Sequence, residues 1–113
     1  MKLSIVLAAY NGAETICAQL ESILAQTRKP DEVLIFDDCS TDDTVETVRR
    51  FAAQHDPDGA IRLIQNEKNQ GWRANFMQGF RQAAGDVIFC ADQDDVWHKE
   101  KLEKMTAVLE QHP

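Results

Sequence analysis

Three carboxylates lie within four consecutive positions late in the chain, at Asp92, Asp94 and Asp95. They follow the apolar run 87–91, which has the composition of a buried strand, so the acids should emerge together where that strand ends. Carboxylates this close repel one another and cost stability unless a cation lies between them. Their hard oxygens suit Mg²⁺ or Mn²⁺, which usually keeps open positions for waters and substrate phosphates. The pattern predicts a divalent-metal site for a phosphorylated ligand, with a solvated acidic loop as the alternative.

Two more polar clusters follow apolar strands. Tyr10 and Asn11 come after the run 3–9, and Asp38 closes a pair of aspartates after the run 33–36. An aromatic ring can stack on a base and a neighbouring amide can orient it, although Tyr-Asn-Gly is also an ordinary turn. A carboxylate at the end of the second strand can accept hydrogen bonds from ribose hydroxyls or from a base N–H. Together these residues predict a nucleotide pocket.

The acids after the second strand also have a structural interpretation. Asp42 and Asp43 would lie at the start of the following helix, where negative charge is favourable and Ser40 has the position of an N-cap. We expect both uses, with a ligand role for Asp38 and a capping role for Asp42 and Asp43. Farther along, Arg73 follows a glycine-containing loop into a helix. It could reach a phosphate near the helix N-terminus or remain a solvated surface residue.

Strand-like and helix-like segments alternate along the whole chain. Four strand–helix units in succession require crossovers, so we predict an open, mainly parallel sheet with helices on both faces, a three-layer α/β/α architecture. In such sheets ligands bind beyond the carboxyl ends of the strands, where all three polar clusters fall. The predicted strands are 3–9, 33–36, 61–64 and 87–91, and the predicted helices are 13–26, 40–53, 76–84 and a last one with Leu102, Met105 and Leu109 on its inner face.

Composition limits the classes of function. The 113 residues suffice for one domain, and 43% hydrophobic with 27% charged residues indicate a globular chain. The formal net charge of −7 argues against a nucleic-acid surface, which would need a basic stripe. Cys17, Cys39 and Cys90 fit neither a disulfide framework nor a zinc spacing, so we expect reduced thiols packed near a core in a cytoplasmic protein. The opening apolar segment is too short for a signal peptide, and no run approaches the length of a membrane span.

Other phosphate-binding classes fit less well. The chain has no G-x-G-x-x-G after its first strand, which disfavours NAD and FAD, and it has no P-loop pattern. A Mg²⁺-binding receiver-like signalling domain also combines a small doubly wound sheet with an acidic pocket. That class needs paired acids after the first strand, where Tyr10 and Asn11 stand instead. A non-catalytic nucleotide-binding module is a third interpretation.

The combination of motifs resembles the N-terminal part of glycosyltransferase family 2 enzymes, whose fold is called GT-A and has a Rossmann-like half. The resemblance is carried by four segments that span nearly the whole chain in the family's order and spacing. They are Ser4-Ile5-Val6-Leu7-Ala8-Ala9-Tyr10-Asn11, Asp37-Asp38-Cys39-Ser40-Thr41-Asp42-Asp43-Thr44, Asn69-Gln70-Gly71, and Ala84-Gly85-Asp86 leading into Asp92-Gln93-Asp94-Asp95-Val96-Trp97. The last segment is most similar to bacterial rhamnosyltransferase-like and polysaccharide-building members.

The resemblance implies roles for the matching positions. Ala9, Tyr10 and Asn11 would line the base pocket, and Asp38 would hold uracil or ribose. Asp92 and Asp94 would form the D-x-D pair, with Asp94 the direct metal ligand and Asp95 its neighbour. Mn²⁺ or Mg²⁺ would bridge the diphosphate of a UDP- or dTDP-sugar and act as a Lewis acid on the leaving group. The implied activity is sugar transfer to a saccharide or lipid-linked acceptor in bacterial cell-surface polysaccharide synthesis.

Two features depart from the family's pattern. Ala9 stands where many members carry a proline, a change from which we expect little effect. The base that takes the acceptor's proton in an inverting displacement is expected beyond Pro113. Residues 1–113 are therefore interpreted as the donor-binding part of a C-terminally truncated glycosyltransferase domain, with little or no turnover of its own. Apolar surface left uncovered should favour a homodimer, and a membrane-associated full-length protein is compatible with the sequence.

Overall fold

Strands and helices alternate in the computed structural model, which describes residues 2–56, 59–92 and 96–111, apart from the side chains of Trp72 and Asp92. The elements are β1 (Leu3–Ala9), α1 (Ile16–Leu24), β2 (Glu32–Asp37), α2 (Thr44–His55), β3 (Ile61–Gln65), α3 (Trp72–Gln82), β4 (Val87–Asp92) and α4 (Lys101–Gln111). This order confirms the predicted alternation.

The strands form one sheet in the order β3-β2-β1-β4, and every neighbouring pair is parallel. The strand β1 is central, with Ala9 opposite Asp37 of β2 and Ala8 opposite Asp92 of β4. The ends of β1, β2 and β4 therefore lie side by side at one edge of the sheet, which we call the carboxyl edge. The predicted open parallel sheet is confirmed.

Helices cover both faces of the sheet, which explains why β1 and β2 are apolar almost throughout. On one face, Leu3, Ile5 and Leu7 belong to a buried cluster that includes the inner sides of α1 and α2. On the other face, Val6 and Phe36 are buried under α3. This three-layer arrangement holds the strand ends in fixed register.

The helix α3 packs closely on the sheet because residue 79 is a glycine. A Cβ added at Gly79 would lie 2.2 Å from Val6 Cγ1 and 3.1 Å from Phe36 Cε2, well inside ordinary contact distance. A larger side chain would therefore push α3 away from β1 and β2. The close approach fixes α3, whose N-terminus lies at the carboxyl edge.

A buried polar network closes the opposite edge of the sheet. Glu32 Oε2 accepts hydrogen bonds from Ser4 Oγ at 2.5 Å and from the Ala84 amide at 2.6 Å. The Gly85 amide donates to Ser4 Oγ at 2.8 Å, and a Cβ at Gly85 would collide with Ser4. The Ala-Gly-Asp segment singled out in the sequence thus joins α3 to β4 and lies far from the carboxyl edge.

The predicted starts of the first two helices were wrong. The first begins at Ile16, not at residue 13, because residues 12–15 form a turn in which Gly12 O accepts the amides of Thr15 and Ile16. The second begins at Thr44 with Asp43 as N-cap, so Ser40 is not the N-cap. Both differences arise where the loops after β1 and β2 bond to each other. The bounds predicted for the third helix, 76–84, were wrong as well, because it runs from Trp72 to Gln82.

The inner face predicted for the last helix was right at Leu102 and wrong at Met105 and Leu109. Leu102 and Thr106 are buried, whereas Met105 and Leu109 are 43% and 38% exposed. The helix is held against the loop after α1, where the Leu102 amide donates to Gln26 Oε1 at 3.0 Å. This contact turns the Leu102 side inward.

The prediction for the three cysteines was right about their free thiols and wrong about the packing of Cys90. All of Cys17, Cys39 and Cys90 are free thiols, as expected, but Cys90 is exposed on β4 and does not pack in a core. None of the helices in the described ranges is both long and apolar enough to cross a membrane.

Candidate functional site

The loops after β1 and β2 meet at the carboxyl edge. The Asp38 amide donates to Ala9 O at 2.9 Å, which continues the strand pairing one step beyond the sheet. Ala9 is buried, and the adjacent Tyr10 side chain is 47% exposed. The predicted pocket residues Ala9, Tyr10 and Asp38 are thus brought together, with the tyrosine on the solvent side.

Asn11 ties the two loops to each other. Its backbone has φ 50°, in the left-handed region that asparagine tolerates better than most residues. Its Oδ1 accepts the Thr41 amide at 2.7 Å, and its own amide donates to Ser40 Oγ at 2.9 Å. The next amide, of Gly12, donates to Thr44 Oγ1 at 2.9 Å. The side-chain oxygen of Asn11 is therefore engaged with the protein.

The aspartates around the start of α2 shape the same loop. Asp37 accepts both the Ser40 amide, at 3.1 Å, and the Ser40 hydroxyl. Asp42 accepts the Thr44 amide at 3.0 Å, so its predicted capping role is confirmed, whereas Asp43 makes no side-chain cap hydrogen bond. Hydrogen bonds, the one from the Thr44 side chain foremost, hold the pKa of the Asp42 carboxyl below its ordinary value.

The Asp38 carboxylate accepts three hydrogen bonds from the protein. It is 4% exposed, and its Oδ1 accepts Asn66 Nδ2 at 3.0 Å and the Gln70 amide at 2.7 Å. Its Oδ2 accepts the Gly71 amide at 2.8 Å. Burial raises the pKa of this carboxyl, but the bonds from Gln70, Asn66 and Gly71 outweigh burial and hold the pKa below its ordinary value.

Two buried asparagines support that carboxylate, and sequence reasoning missed them as site residues. Asn66 follows β3 and donates to both Asp38 and Asn75 Oδ1. Asn75 is 1% exposed in the first turn of α3 and donates to Phe36 O at 3.4 Å. A polar residue at the end of the third strand was a usable signal for Asn66, because every strand of a parallel sheet ends at the same edge.

Arg73 is an exposed residue in the first turn of α3, immediately after the loop that Asp38 holds. The N-cap of this helix is Gly71, with φ 84°, which has no side chain of its own to cap the first amides. The structure therefore brings Arg73 to the carboxyl edge, where Ala9, Tyr10, Asn11 and Asp38 also lie.

Of the three predicted metal ligands, Asp92 alone belongs to the residues that the structure describes. Asp92 ends β4 opposite Ala8, next to the strand that leads into Tyr10, but its side chain is not described. Asp94 and Asp95 lie outside the described residues. Across the ranges that are described, no three acidic, histidine or cysteine side chains gather as a metal site. The donor set at residues 92–95 is nevertheless of the carboxylate type that suits a hard divalent cation.

The amino-acid sequence is similar to those of curated glycosyltransferases. The chain is 37% identical to the putative glycosyltransferase EpsE of Bacillus subtilis over 111 residues, which cover 98% of this chain and 39% of EpsE. It is 34% identical to the UDP-Glc:alpha-D-GlcNAc-diphosphoundecaprenol beta-1,3-glucosyltransferase WfgD of Escherichia coli, covering 95% of this chain and 40% of WfgD.

The fold of the chain is also similar to those of solved glycosyltransferase structures. Residues 1–349 of S. aureus TarS in complex with UDP superpose with a TM-score of 0.86 at 30% identity, covering 99% of this chain and 33% of that one. The mannosyltransferase PcManGT from Pyrobaculum calidifontis, in complex with GDP-Man and Mn²⁺, gives 0.82 at 30% identity and covers 89% of this chain and 30% of its own.

The chain thus spans at most two-fifths of the length of these curated relatives and solved structures. Its sheet is the Rossmann-like part of a GT-A fold. The family model described as glycosyl transferase family 2 matches residues 4–113, and the chain belongs to that family.

Proposed function

We propose that residues 1–113 form the donor-binding part of a metal-dependent, inverting glycosyltransferase. The donor is a nucleoside-diphosphate sugar, UDP- or dTDP-linked, and the acceptor is a saccharide or a lipid-linked saccharide of a bacterial cell-surface polysaccharide. One observation carries the proposal: the loops after β1, β2 and β3 are bonded into one surface beside the end of β4, where the family's acidic motif begins. The names of WfgD and TarS support the donor class, since one specifies UDP-Glc and the other structure holds UDP.

The residues of the carboxyl edge would divide the work of binding. Ala9 and Tyr10 would line the pocket for the base of the nucleotide, and the exposed tyrosine ring would stack on that base. Asn11 fixes the wall by bonding to the loop after β2. Arg73, in the first turn of α3, attracts the diphosphate together with the positive N-terminal end of that helix.

Asp92, Asp94 and Asp95 would hold the divalent cation, with Asp94 the direct ligand. When bound, Mn²⁺ or Mg²⁺ supplies charge neutralisation of the diphosphate as a Lewis acid. The Mn²⁺ in the PcManGT complex supports a cation at this class of site. We assign no catalytic base within residues 1–113, so the proton of the acceptor hydroxyl is not routed through any residue of this chain.

Full-length transfer activity tests the proposal. The protein, produced with its membrane fraction, is incubated with radiolabelled UDP-, dTDP- and GDP-sugars and Mn²⁺, and label in saccharide or lipid-linked product is counted. We expect transfer from a uridine or thymidine donor, which EDTA and Asp94→Asn abolish. Asp86→Asn is the matched control, because Asp86 precedes the same strand at the opposite edge and bonds to the Lys2 amide. Nucleotide binding without transfer from any donor would favour the non-catalytic module instead.

The receiver-like alternative is not retained. Family membership spans residues 4–113, and the carboxyl edge carries Ala9 and Tyr10 after β1 in place of paired acids.

For location, we propose a cytoplasmic protein whose full-length form associates with the membrane, since WfgD acts on a diphosphoundecaprenol-linked acceptor.

A further inference from the structure

Two polar side chains at the end of α1 hold the chain that follows β4. Ser22 Oγ accepts the Trp97 amide at 3.0 Å. Gln26, four residues later, donates from Nε2 to the His98 carbonyl at 2.7 Å and accepts the Leu102 amide at Oε1 at 3.0 Å. Gln26 Nε2 also donates to Ser22 O at 3.0 Å, which joins the two residues. We call Ser22 and Gln26 the α1 clamp.

Apolar burial holds the same part of the chain. Trp97 and Leu102 are both buried, and they belong to the apolar cluster that includes the inner side of α1. Lys101 Nζ lies 4.1 Å from the centroid of the Trp97 ring, in a cation–π contact. The segment 97–102 is therefore fixed against α1 by polar and apolar contacts together.

This segment begins just after the acidic motif that starts at Asp92. Before the motif, β4 is paired with β1 as far as Asp92, which stands opposite Ala8. After the motif, Trp97 follows Asp94 by three residues and is held by the α1 clamp. The chain is thus bonded to the rest of the fold on both sides of the motif. Carboxylates that ligate a cation depend on such support, because a small displacement of a ligand lowers metal affinity.

We propose that Ser22 and Gln26 are positioning residues for the cation site. The α1 clamp fixes the chain just after the acidic motif and so keeps the carboxylates of that motif where a cation and the diphosphate of the donor can share them. Hydrogen bonds to the protein already engage both side chains, so the clamp acts through the backbone that it holds and not by ligating the ion. This inference rests on the proposed metal-dependent donor binding.

Ser4 offers a matched control, because its hydroxyl makes the same two kinds of bond at the other end of β4. Ser4 Oγ donates to Glu32 and accepts the Gly85 amide at 2.8 Å, shortly before β4. Ser22 Oγ donates to a carbonyl of α1 at 2.7 Å and accepts the Trp97 amide after β4. Ser4→Ala and Ser22→Ala therefore remove the same group beyond opposite ends of the strand, and Ser22→Ala is the one that loosens the chain after the acidic motif.

The test measures the clamp bonds, the metal and the nucleotide separately in the full-length protein. Amide hydrogen exchange at Trp97 and Leu102 is followed without metal or nucleotide and reports the two clamp bonds. Mn²⁺ affinity is measured at saturating UDP from the electron paramagnetic resonance signal of the free ion. UDP affinity without metal is measured by calorimetry in EDTA. The variants are Ser22→Ala, Ser4→Ala and Gln26→Met, which keeps a side chain of similar size but has no amide group.

We expect Ser22→Ala to speed exchange at Trp97 by about fivefold, because the amide loses a neutral hydrogen bond. Gln26→Met should do the same at Leu102, which lies in the first turn of α4, where no intrahelical carbonyl replaces the lost acceptor. Mn²⁺ affinity at saturating UDP should fall about tenfold in both variants, the low end of the range for residues that support metal ligands. UDP affinity without metal should not change. Ser4→Ala should lower the free energy of unfolding and leave both affinities as in the wild type.

Unchanged Mn²⁺ affinity in Ser22→Ala, with faster exchange at Trp97, would overturn the inference and leave the α1 clamp a purely structural contact. Unchanged exchange at Trp97 would overturn it too, as would an equal loss of Mn²⁺ affinity in Ser4→Ala, because general destabilisation would then explain the effect. If Gln26→Met does not fold, Ser22→Ala decides alone, since it removes one hydroxyl at a partly exposed position. A wild type that binds no Mn²⁺ with UDP would refute the proposed metal-dependent function as well, whereas wild-type Mn²⁺ binding that survives both clamp variants refutes this inference alone.

Discussion

Substituting Gly79 by alanine should change the free energy of unfolding in two opposite ways, through backbone entropy and through a steric clash. In an exposed helix the change stabilises by about 0.5–1 kcal/mol, because alanine loses less backbone entropy on folding. In α3 the added Cβ would lie 2.2 Å from Val6 Cγ1, where ordinary contact is 3.4–4 Å. Val6 is fully buried in the central strand and β-branched, so it cannot rotate away and the helix must shift. Overpacking of this kind costs about 1–3 kcal/mol, so a net loss of about 1–2 kcal/mol is expected.

Urea unfolding of a double-mutant cycle measures this prediction. Gly79→Ala alone should lower the free energy of unfolding, and Val6→Ala alone should lower it by leaving a cavity. In the Val6→Ala background the same Gly79→Ala change should become neutral or stabilising, because the colliding methyl group is gone. Stabilisation by Gly79→Ala in the wild-type background would refute the close packing of α3 on β1.

The remaining predictions concern three other parts of the molecule. Burial raises the pKa of Glu32, but bonds from Ser4 and Ala84 and the charges of Lys2 and Arg62 lower it below its ordinary 4.5. Its contribution to stability is therefore complete above that value and lost as pH falls through the depressed pKa, so the stability gap between wild type and Glu32→Gln should narrow in acid unfolding curves. In thermal unfolding, Asn11→Ala should lower the free energy of unfolding by about 1–2 kcal/mol more than Asn11→Gly does. The backbone at this position has φ 50°, a left-handed conformation that is strained for alanine and not for glycine. The exposed Met77, Phe80, Met105 and Val108 should favour a homodimer of the 113-residue chain. Sedimentation should show that dimerisation strengthens as salt screens the net charge of −7. A monomer at every ionic strength would contradict this prediction.

Much of the carboxyl edge was predictable because parallel strands end together. The apolar runs located β1, β2 and β4 within a residue or so of their observed bounds. Short-range pattern sufficed for the strands and their common edge, since strand composition and crossover handedness leave few arrangements. The order of the strands and the register, which sets Ala9 beside Asp37 and Ala8 beside Asp92, came from the structure.

The inward orientation of Asp38 was not predictable from its neighbours. Its donors Asn66, Gln70 and Gly71 are 28 to 33 residues away along the chain, and nothing in the local motif shows that they converge on it. Adjacent Asp37 has the same residue type and bonds within its own loop. Which of two neighbouring aspartates reaches a distant loop depends on tertiary packing.

The last helix shows a second limit. Leu102 with Thr106 and Met105 with Leu109 each form a stripe four residues apart, so periodicity offers more than one inner face. The hydrogen bond that the Leu102 amide donates to Gln26 Oε1 selects the first. Hydrophobicity alone predicted an inner face with Leu102, Met105 and Leu109, because all three are large apolar side chains.

Calorimetric titration of UDP in the presence and absence of Mn²⁺ tests the central claim most directly. If this carboxyl edge with its acidic motif is a donor site, Mn²⁺ should raise UDP affinity by about tenfold or more, and Asp94→Asn should remove that gain while Asp86→Asn keeps it. Equal UDP affinity with and without Mn²⁺ would contradict the account, as would a metal-dependent gain that survives Asp94→Asn.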